Sequence, residues 1–159
     1  MKKPAFVLLA VVFAAGAVYG QEEYFKHIDF FIQNFPQSNN EAWDILASWG
    51  YIIDNNPMEF FRQYFTRDYL YEVWVWPKIT ENIEDSNSIT FRFLFHRQES
   101  VEFYRLYREA VFYFTEKYIN FNKTIENNNH TFTNGDILIY IAYNNTETLF
   151  IEVAKRRNR

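Results

Sequence analysis

The stretch ITFRFLFHR, residues 89–97, alternates between two kinds of side chain. The apolar set comprises Ile89, Phe91, Phe93 and Phe95, and the mixed set comprises Thr90, Arg92, Leu94 and His96. A repeat of two is the period of a β-strand, in which successive side chains point to opposite faces of the sheet. The pattern therefore predicts a strand whose apolar side faces the core.

The stretch YLYEVWVWP, residues 69–77, has the same repeat and predicts the partner strand of a hairpin. One side carries Tyr69, Tyr71, Val73 and Val75, and the other carries Leu70, Glu72, Trp74 and Trp76. We assign the first side to the core that the neighbouring strand defines. Residues 77–88 then form a polar connection that is longer than a tight hairpin needs.

The second face of this hairpin is the candidate site for a ligand or partner. This face contains Thr90 and the five candidate site residues Glu72, Trp74, Trp76, Arg92 and His96. Indole rings offer stacking area and guanidinium offers paired donors, as on surfaces that bind sugars, peptides or aromatic ligands. Two plainer interpretations remain open. Glu72 and Arg92 form a structural cross-strand ion pair, or the N-terminal helices cover this face and make the tryptophans second-layer core.

Helical spacing dominates the chain before the hairpin. Residues 22–35 predict a short amphipathic helix. Ser38 and Glu41 have the spacing of a capping box, so a second helix is expected over residues 39–55. An Asn-Pro pair then predicts the start of a third short helix, residues 57–66.

The C-terminal half predicts a long helix followed by strands. Residues 99–119 place apolar side chains at helical spacing, although their aromatic density also fits two strands. Asn134-Gly135 and Asn144-Asn145 can supply the positive φ values that a type I′ hairpin turn needs. These turns predict a three-stranded meander over residues 129–133, 136–143 and 146–153.

The second of these turns predicts a register for the last two strands. If Tyr143 pairs with Thr146, both faces of the meander become largely apolar. An antiparallel sheet covered on one side only would have a wet face. Either helices cover both sides, or the sheet curls around its own contents, or one face meets a ligand or partner.

Together these elements predict a single α+β domain over residues 21–154. N-terminal helices pack on a curved, mainly antiparallel sheet. The strands of the hairpin and the meander form this sheet, and the long helix lies between them in the chain. This order of elements is similar to the cone-shaped folds of the nuclear transport factor family, which hold a pocket between helices and sheet. The resemblance implies a pocket as the alternative to an exposed binding face.

Residues 1–20 have the layout of a secretory signal peptide. Lys2 and Lys3 precede an apolar run, and Gly20 precedes an abruptly polar segment. An uncleaved anchor is disfavoured because the run is shorter than the roughly 20 residues of a spanning helix. We expect an exported protein, periplasmic or extracellular, without a membrane span after cleavage. Since the chain has no cysteine, its mature domain must be stabilised by its core.

Charge is distributed unevenly along the chain. Residues 21–154 carry ten Lys and Arg against twenty Asp and Glu, a net charge of −10, whereas the tail 155–159 holds four cations. This balance argues against nucleic acid as a partner, because phosphate binding needs a basic surface. The tail is either a solvated terminus or a contact to an anionic envelope component.

The sequence contains no established catalytic signature such as a nucleophile elbow, a P-loop or a metalloprotease helix. Its histidines, His27, His96 and His130, are isolated from one another, so we predict neither a metal site nor a cofactor. Glu72 and Glu152 lie mid-strand on apolar faces, where a buried acid could serve as a general base. We nevertheless assign no catalytic residue.

Two function hypotheses follow. The preferred one is a non-enzymatic binding or structural module whose aromatic face or basic tail engages another envelope protein or a glycan. The alternative is a ligand-binding or enzymatic pocket domain of cone-like fold, in which Glu72, Arg92 and His96 converge. Exposure of Trp74 and Trp76 distinguishes the two hypotheses, and neither hypothesis specifies an oligomeric state.

Overall fold

The computed structural model describes residues 24–53, 60–65, 70–79, 87–95, 100–144 and 148–156. The predicted signal peptide, Tyr69, His96 and the tail residues 157–159 lie outside this part of the chain. The described residues form three helices and eight strands: α1 (24–33), α2 (Asn39–Ser48), β1 (Ile52–Ile53), β2 (Phe60–Phe65), β3 (Leu70–Lys78), β4 (Asn87–Phe95), α3 (Ser100–Lys117), β5 (Asn122–Glu126), β6 (Asn129–Asn134), β7 (Ile137–Asn144) and β8 (Thr148–Lys155). The predicted α+β class is confirmed.

The described strands form one antiparallel sheet in the order β1-β2-β3-β4-β8-β7-β6-β5. Strands β4 and β8 lie at its centre and join the strands that precede α3 to those that follow it. Strand β8 includes Lys155, which pairs with Asn87 on one side and Ile137 on the other.

The helices pack on one side of this sheet, which we call the inner face. From α1, the ring of Phe31 lies 5.9 Å from that of Phe91, and Tyr24 lies 5.1 Å from Phe93. From α3, Phe114 is fully buried and meets Phe25 of α1 at 5.8 Å. The alternating apolar residues of β3 and β4 are fully buried beneath them, as their pattern predicts: Val73, Val75, Ile89, Phe91 and Phe93.

Helix α2 begins where the capping box predicts and ends seven residues early. Ser38 Oγ accepts the N–H of Glu41 at 3.2 Å, while the Glu41 carboxylate accepts the N–H of Gln37 at 2.7 Å. At the other end, Gly50 has φ +78° and its N–H donates to the Ala47 carbonyl. This left-handed glycine ends the helix in a Schellman turn, so the predicted extension to residue 55 is wrong.

The third predicted helix, residues 57–66, is also wrong, because residues 60–65 form strand β2. This strand pairs along its whole length with β3, with Phe60 opposite Val75. Phe60 is fully buried, and its ring lies 6.2 Å from Trp43 of α2. Aromatic residues favour a half-buried sheet surface, and pairing with β3 overrides the local helical spacing.

Helix α3, Ser100–Lys117, lies within the predicted helical stretch 99–119, but the following Asn-rich stretch contains a strand that the sequence pattern did not indicate. Strand β5 pairs with β6 through a turn in which Asn127 and Asn128 both have positive φ, 47° and 66°. That geometry is the type I′ turn of a two-residue hairpin. An asparagine-based turn of the predicted type therefore also joins β5 to β6, before the first hairpin that the sequence predicted.

The predicted register of β7 and β8 is wrong by three residues. Tyr143 lies opposite Leu149, and Asn144 lies opposite Thr148, so the connection holds three residues instead of two. An odd shift exchanges the two faces of a strand. The observed register joins Ile139 and Ile141 to buried residues of β8 on the inner face and leaves the polar Glu152 on the other.

Candidate functional site

The outer face of the sheet lies opposite α1 and α3. The register of β3, β4, β8 and β7 places a set of half-buried side chains on it: Trp74, Trp76, Thr90, Arg92, Phe150, Glu152, Tyr140 and Ala142. Helix α1 does not cover this set, because its ring contacts fall on Phe91 and Phe93 of the inner face. Helix α2 likewise contacts Phe60, which lies opposite Val75 of the inner face. The interpretation of the tryptophans as second-layer core beneath the N-terminal helices is therefore wrong.

Trp74 and Trp76 form a pair of near-parallel rings on β3. Their centroids are 6.2 Å apart and their planes differ by 19°. Residues two apart on a strand share a face, so the alternation in the sequence is sufficient to bring the rings together. The Nε1–H of Trp74 donates to Glu72 Oε2 at 2.9 Å, and this bond fixes the orientation of the ring.

Arg92 supports the same pair from the neighbouring strand. It lies directly opposite Trp74, and its Cζ is 4.4 Å from the centroid of the Trp76 ring. A guanidinium over an indole face is a cation–π contact that stiffens both groups. Glu72 is buried and lies opposite Leu94, which makes it a diagonal neighbour of Arg92.

A cavity of about 390 Å³ opens on the same side of the sheet, toward β7. Its lining combines hydroxyl, amide and carboxylate groups with apolar ones: Thr90, Asn129, Tyr140, Ala142, Tyr143, Phe150 and Glu152. Polar groups distributed around an apolar floor can orient a ligand by hydrogen bonds while its apolar surface is buried.

The structure brings together four of the five residues that the sequence predicts for the site. Glu72, Trp74, Trp76 and Arg92 share the outer-face surface, and His96 lies outside the described residues. The cavity itself was missed because the predicted register put Tyr140 opposite Leu149, whereas Tyr140 lies opposite Glu152. The polar Glu152 within an apolar strand was the one feature of the sequence that pointed to this cavity.

The described histidines are separate from this face. His27 is buried and stacks on Trp49 at 4.1 Å, and His130 lies edge-on to Tyr107 at 5.9 Å. Burial lowers the pKa of His130, and the positive charge of Lys123 lowers it further. In the described part of the chain, no three His, Asp or Glu residues gather as metal ligands, and no helix there is long and apolar enough to span a membrane.

A second polar cluster joins α1 to α3 around the buried Asp29. Its Oδ2 accepts from Tyr113 and Lys117, and its Oδ1 accepts from Tyr118 at 2.6 Å. Burial and then the hydrogen bond to Asp29 raise the pKa of Tyr118 far above its ordinary value. Burial alone would lower the pKa of Lys117, but its hydrogen bonds to Asp29 and Tyr113 leave it raised. Because its carboxylate oxygens bind Tyr113 and Lys117 of α3 and Tyr118 directly after it, this cluster is a clamp between α1 and the C-terminal end of α3.

Comparison of the chain with protein-family models, with curated proteins and with solved structures finds no match.

Proposed function

We propose that the protein is an exported, non-enzymatic binding module that engages a glycan through the outer face of its sheet. The carrying observation is the pair of near-parallel tryptophans, 6.2 Å apart, held by Glu72 and Arg92 on a half-buried sheet surface. Export follows from the predicted signal peptide, and a glycan is a ligand that an exported module meets.

The chemistry of the face supports this class of ligand. Sugar rings present C–H faces that stack on indole, and their hydroxyls need donors and acceptors close to that stacking surface. Rings held by a hydrogen bond and a cation–π contact lose little freedom on binding. Another envelope protein is the second candidate partner, but the polar lining of the adjacent cavity favours a ligand rich in hydroxyl groups.

The enzymatic alternative relied on Glu72, Arg92 and His96 converging in a pocket. Neither Glu72 nor Arg92 lines the cavity on the outer face, and His96 lies outside the described residues. The binding module is therefore the function that the geometry supports best.

The test compares wild type with a Trp74→Ala/Trp76→Ala double variant in pull-downs on insoluble peptidoglycan, chitin and cellulose. Phe112→Ala is the matched control, because Phe112 is an aromatic residue of α3 that is 69% exposed. We expect wild type and Phe112→Ala to bind at least one polymer and the double variant to lose that binding. Circular dichroism and thermal unfolding establish that all three proteins are folded.

Two results would contradict the proposal. One is the absence of wild-type binding to all three polymers, and the other is equal binding by wild type and a folded double variant. Binding to an envelope protein instead, abolished by the same double variant, would favour the second candidate partner.

A further inference from the structure

We infer that the ligand is a linear, uncharged or amino-sugar oligosaccharide that lies across the strands, from the tryptophan pair to the cavity beside Glu152. This inference rests on the proposed function and adds the length, direction and charge class of the ligand. Its basis is a continuous path of side chains over four adjacent strands.

The register of the sheet defines this path. Trp76 lies opposite Thr90, Thr90 lies opposite Glu152, and Glu152 lies opposite Tyr140. Opposed residues of paired strands share a face, so these four side chains form one row perpendicular to the strands.

A second row runs beside the first on the same face. Trp74 lies opposite Arg92, Arg92 lies opposite Phe150, and Phe150 lies opposite Ala142. The two rows together form a track across the strands, and its width is the separation of Trp74 and Trp76 along β3. From β3 to β7 the track crosses three strand spacings, about 14 Å, which matches roughly three sugar rings in a linear chain.

The side chains change in character along the track. The β3 end offers stacking area. The end formed by β8 and β7 offers the Glu152 carboxylate and the Tyr140 hydroxyl beside the apolar side chains of Phe150 and Ala142. A carboxylate can accept hydrogen bonds from two neighbouring hydroxyls. We therefore place the stacked rings of the ligand on the tryptophans and its terminal ring in the cavity.

Charge narrows the class of sugar. Glu152 is half-buried in the cavity lining, and residues 21–154 carry a net charge of −10. A uronic acid or sulfated sugar in the cavity would bring a second negative charge beside a partly desolvated carboxylate, and like charges in that setting repel. The cation of the track, Arg92, does not line the cavity and is held over the ring of Trp76. Neutral sugars avoid this repulsion, and an amino sugar gains an ion pair.

Titration calorimetry with chito- and cello-oligosaccharides of one to five rings tests the inference on wild type, Glu152→Gln and Glu126→Gln. Glu126 lies on the exposed strand β5 and is the matched control. We expect wild-type affinity to rise up to three rings and then level off. Glu152→Gln should weaken the three-ring ligand about tenfold, as loss of one charge-assisted hydrogen bond does, and leave the one-ring ligand unchanged.

Affinity that is independent of chain length, or equal weakening of all lengths by Glu152→Gln, would overturn the inference while leaving the proposed function intact. Tighter binding of an oligogalacturonate than of the neutral series would overturn the charge class. If no oligosaccharide binds and the tryptophan variant behaves as wild type in the pull-downs, the proposed function fails as well, so the two failures are distinguishable.

Discussion

The two faces of the central strands differ in how completely they are buried, although both are rich in large side chains. On the inner face, Phe91 and Phe93 are fully buried under α1. On the outer face, Trp74, Trp76 and Phe150 are half-buried and are interleaved with Arg92 and Glu152. A fully buried surface accepts polar groups only where each has a hydrogen-bond or charge partner. A half-buried surface can hold charged groups beside aromatic rings, because water still solvates them.

This difference separates a face that stabilises the fold from a face whose polar groups keep contact with solvent. The polar cluster at Asp29 belongs to the helix layer on the inner side, and its carboxylate is occupied by groups of α3. Glu152, on the outer face, lines a cavity instead. Two acids in one small domain thus have different surroundings, and substitutions can test each face separately.

The largest expected effect comes from truncating the same residue type on the two faces. Phe91→Ala should lower the free energy of unfolding by about 4 kcal/mol, because it leaves a cavity under Phe31. Phe150→Ala should cost about 1 kcal/mol, because its ring already retains contact with water. Urea denaturation followed by circular dichroism measures both, and equal losses would contradict the assignment of inner and outer faces.

The second comparison changes an acid to its amide on each side of the sheet. Asp29→Asn should lower the free energy of unfolding by about 2 kcal/mol, because the bond to Lys117 loses its charge and one donor loses its acceptor. Glu152→Gln should change it by less than about 0.5 kcal/mol. Thermal unfolding at pH 7 checks both values. A larger loss from Glu152→Gln would show that this residue is structural and would remove it from the binding track.

The prediction with the smallest expected effect concerns the helix layer alone and includes its response to alkaline pH. The folded pKa values of Tyr118 and Lys117 are raised, so both groups stabilise the protein below their unfolded values, about 10 and 10.4. This stability should be lost as the pH rises above about 10. Tyr118→Phe should cost about 1 kcal/mol at pH 7 and make the alkaline loss shallower. Urea denaturation at several pH values between 7 and 11 measures the free energy of unfolding of wild type and Tyr118→Phe. An identical pH dependence of the two proteins would contradict the Asp29 clamp.

Most of the candidate site could be predicted from the sequence because it depends on a local property. The alternation in residues 69–77 is sufficient to place Glu72, Trp74 and Trp76 on one side of a strand, whatever surrounds that strand. Alternation in residues 89–97 does the same for Arg92. The cavity at Glu152 and Tyr140 could not be predicted in this way, because it depends on how two strands align.

Two features of the fold show why local patterns were insufficient elsewhere. Helix α2 ends at Ser48, before the left-handed Gly50, although the apolar spacing of the sequence continues toward Ile52 and Ile53. Residues 60–65 have spacing compatible with a helix, but they pair with β3. In both places, contacts with distant residues decide between helix and strand, since intrinsic secondary-structure preferences are about 1 kcal/mol or less per residue.

The sequence by itself determined the α+β class, the apolar faces of β3 and β4, the capped start of α2 and the placement of the tryptophans beside Arg92. These features depend on side-chain period and on neighbours within a few residues. Only the tertiary structure decided which face the helices cover, how β8 aligns with β7, and therefore that Glu152 lines a cavity across the sheet from Trp76. The physical reason is that strand pairing joins distant residues, and a shift of an odd number of residues exchanges a strand's two faces at little local cost.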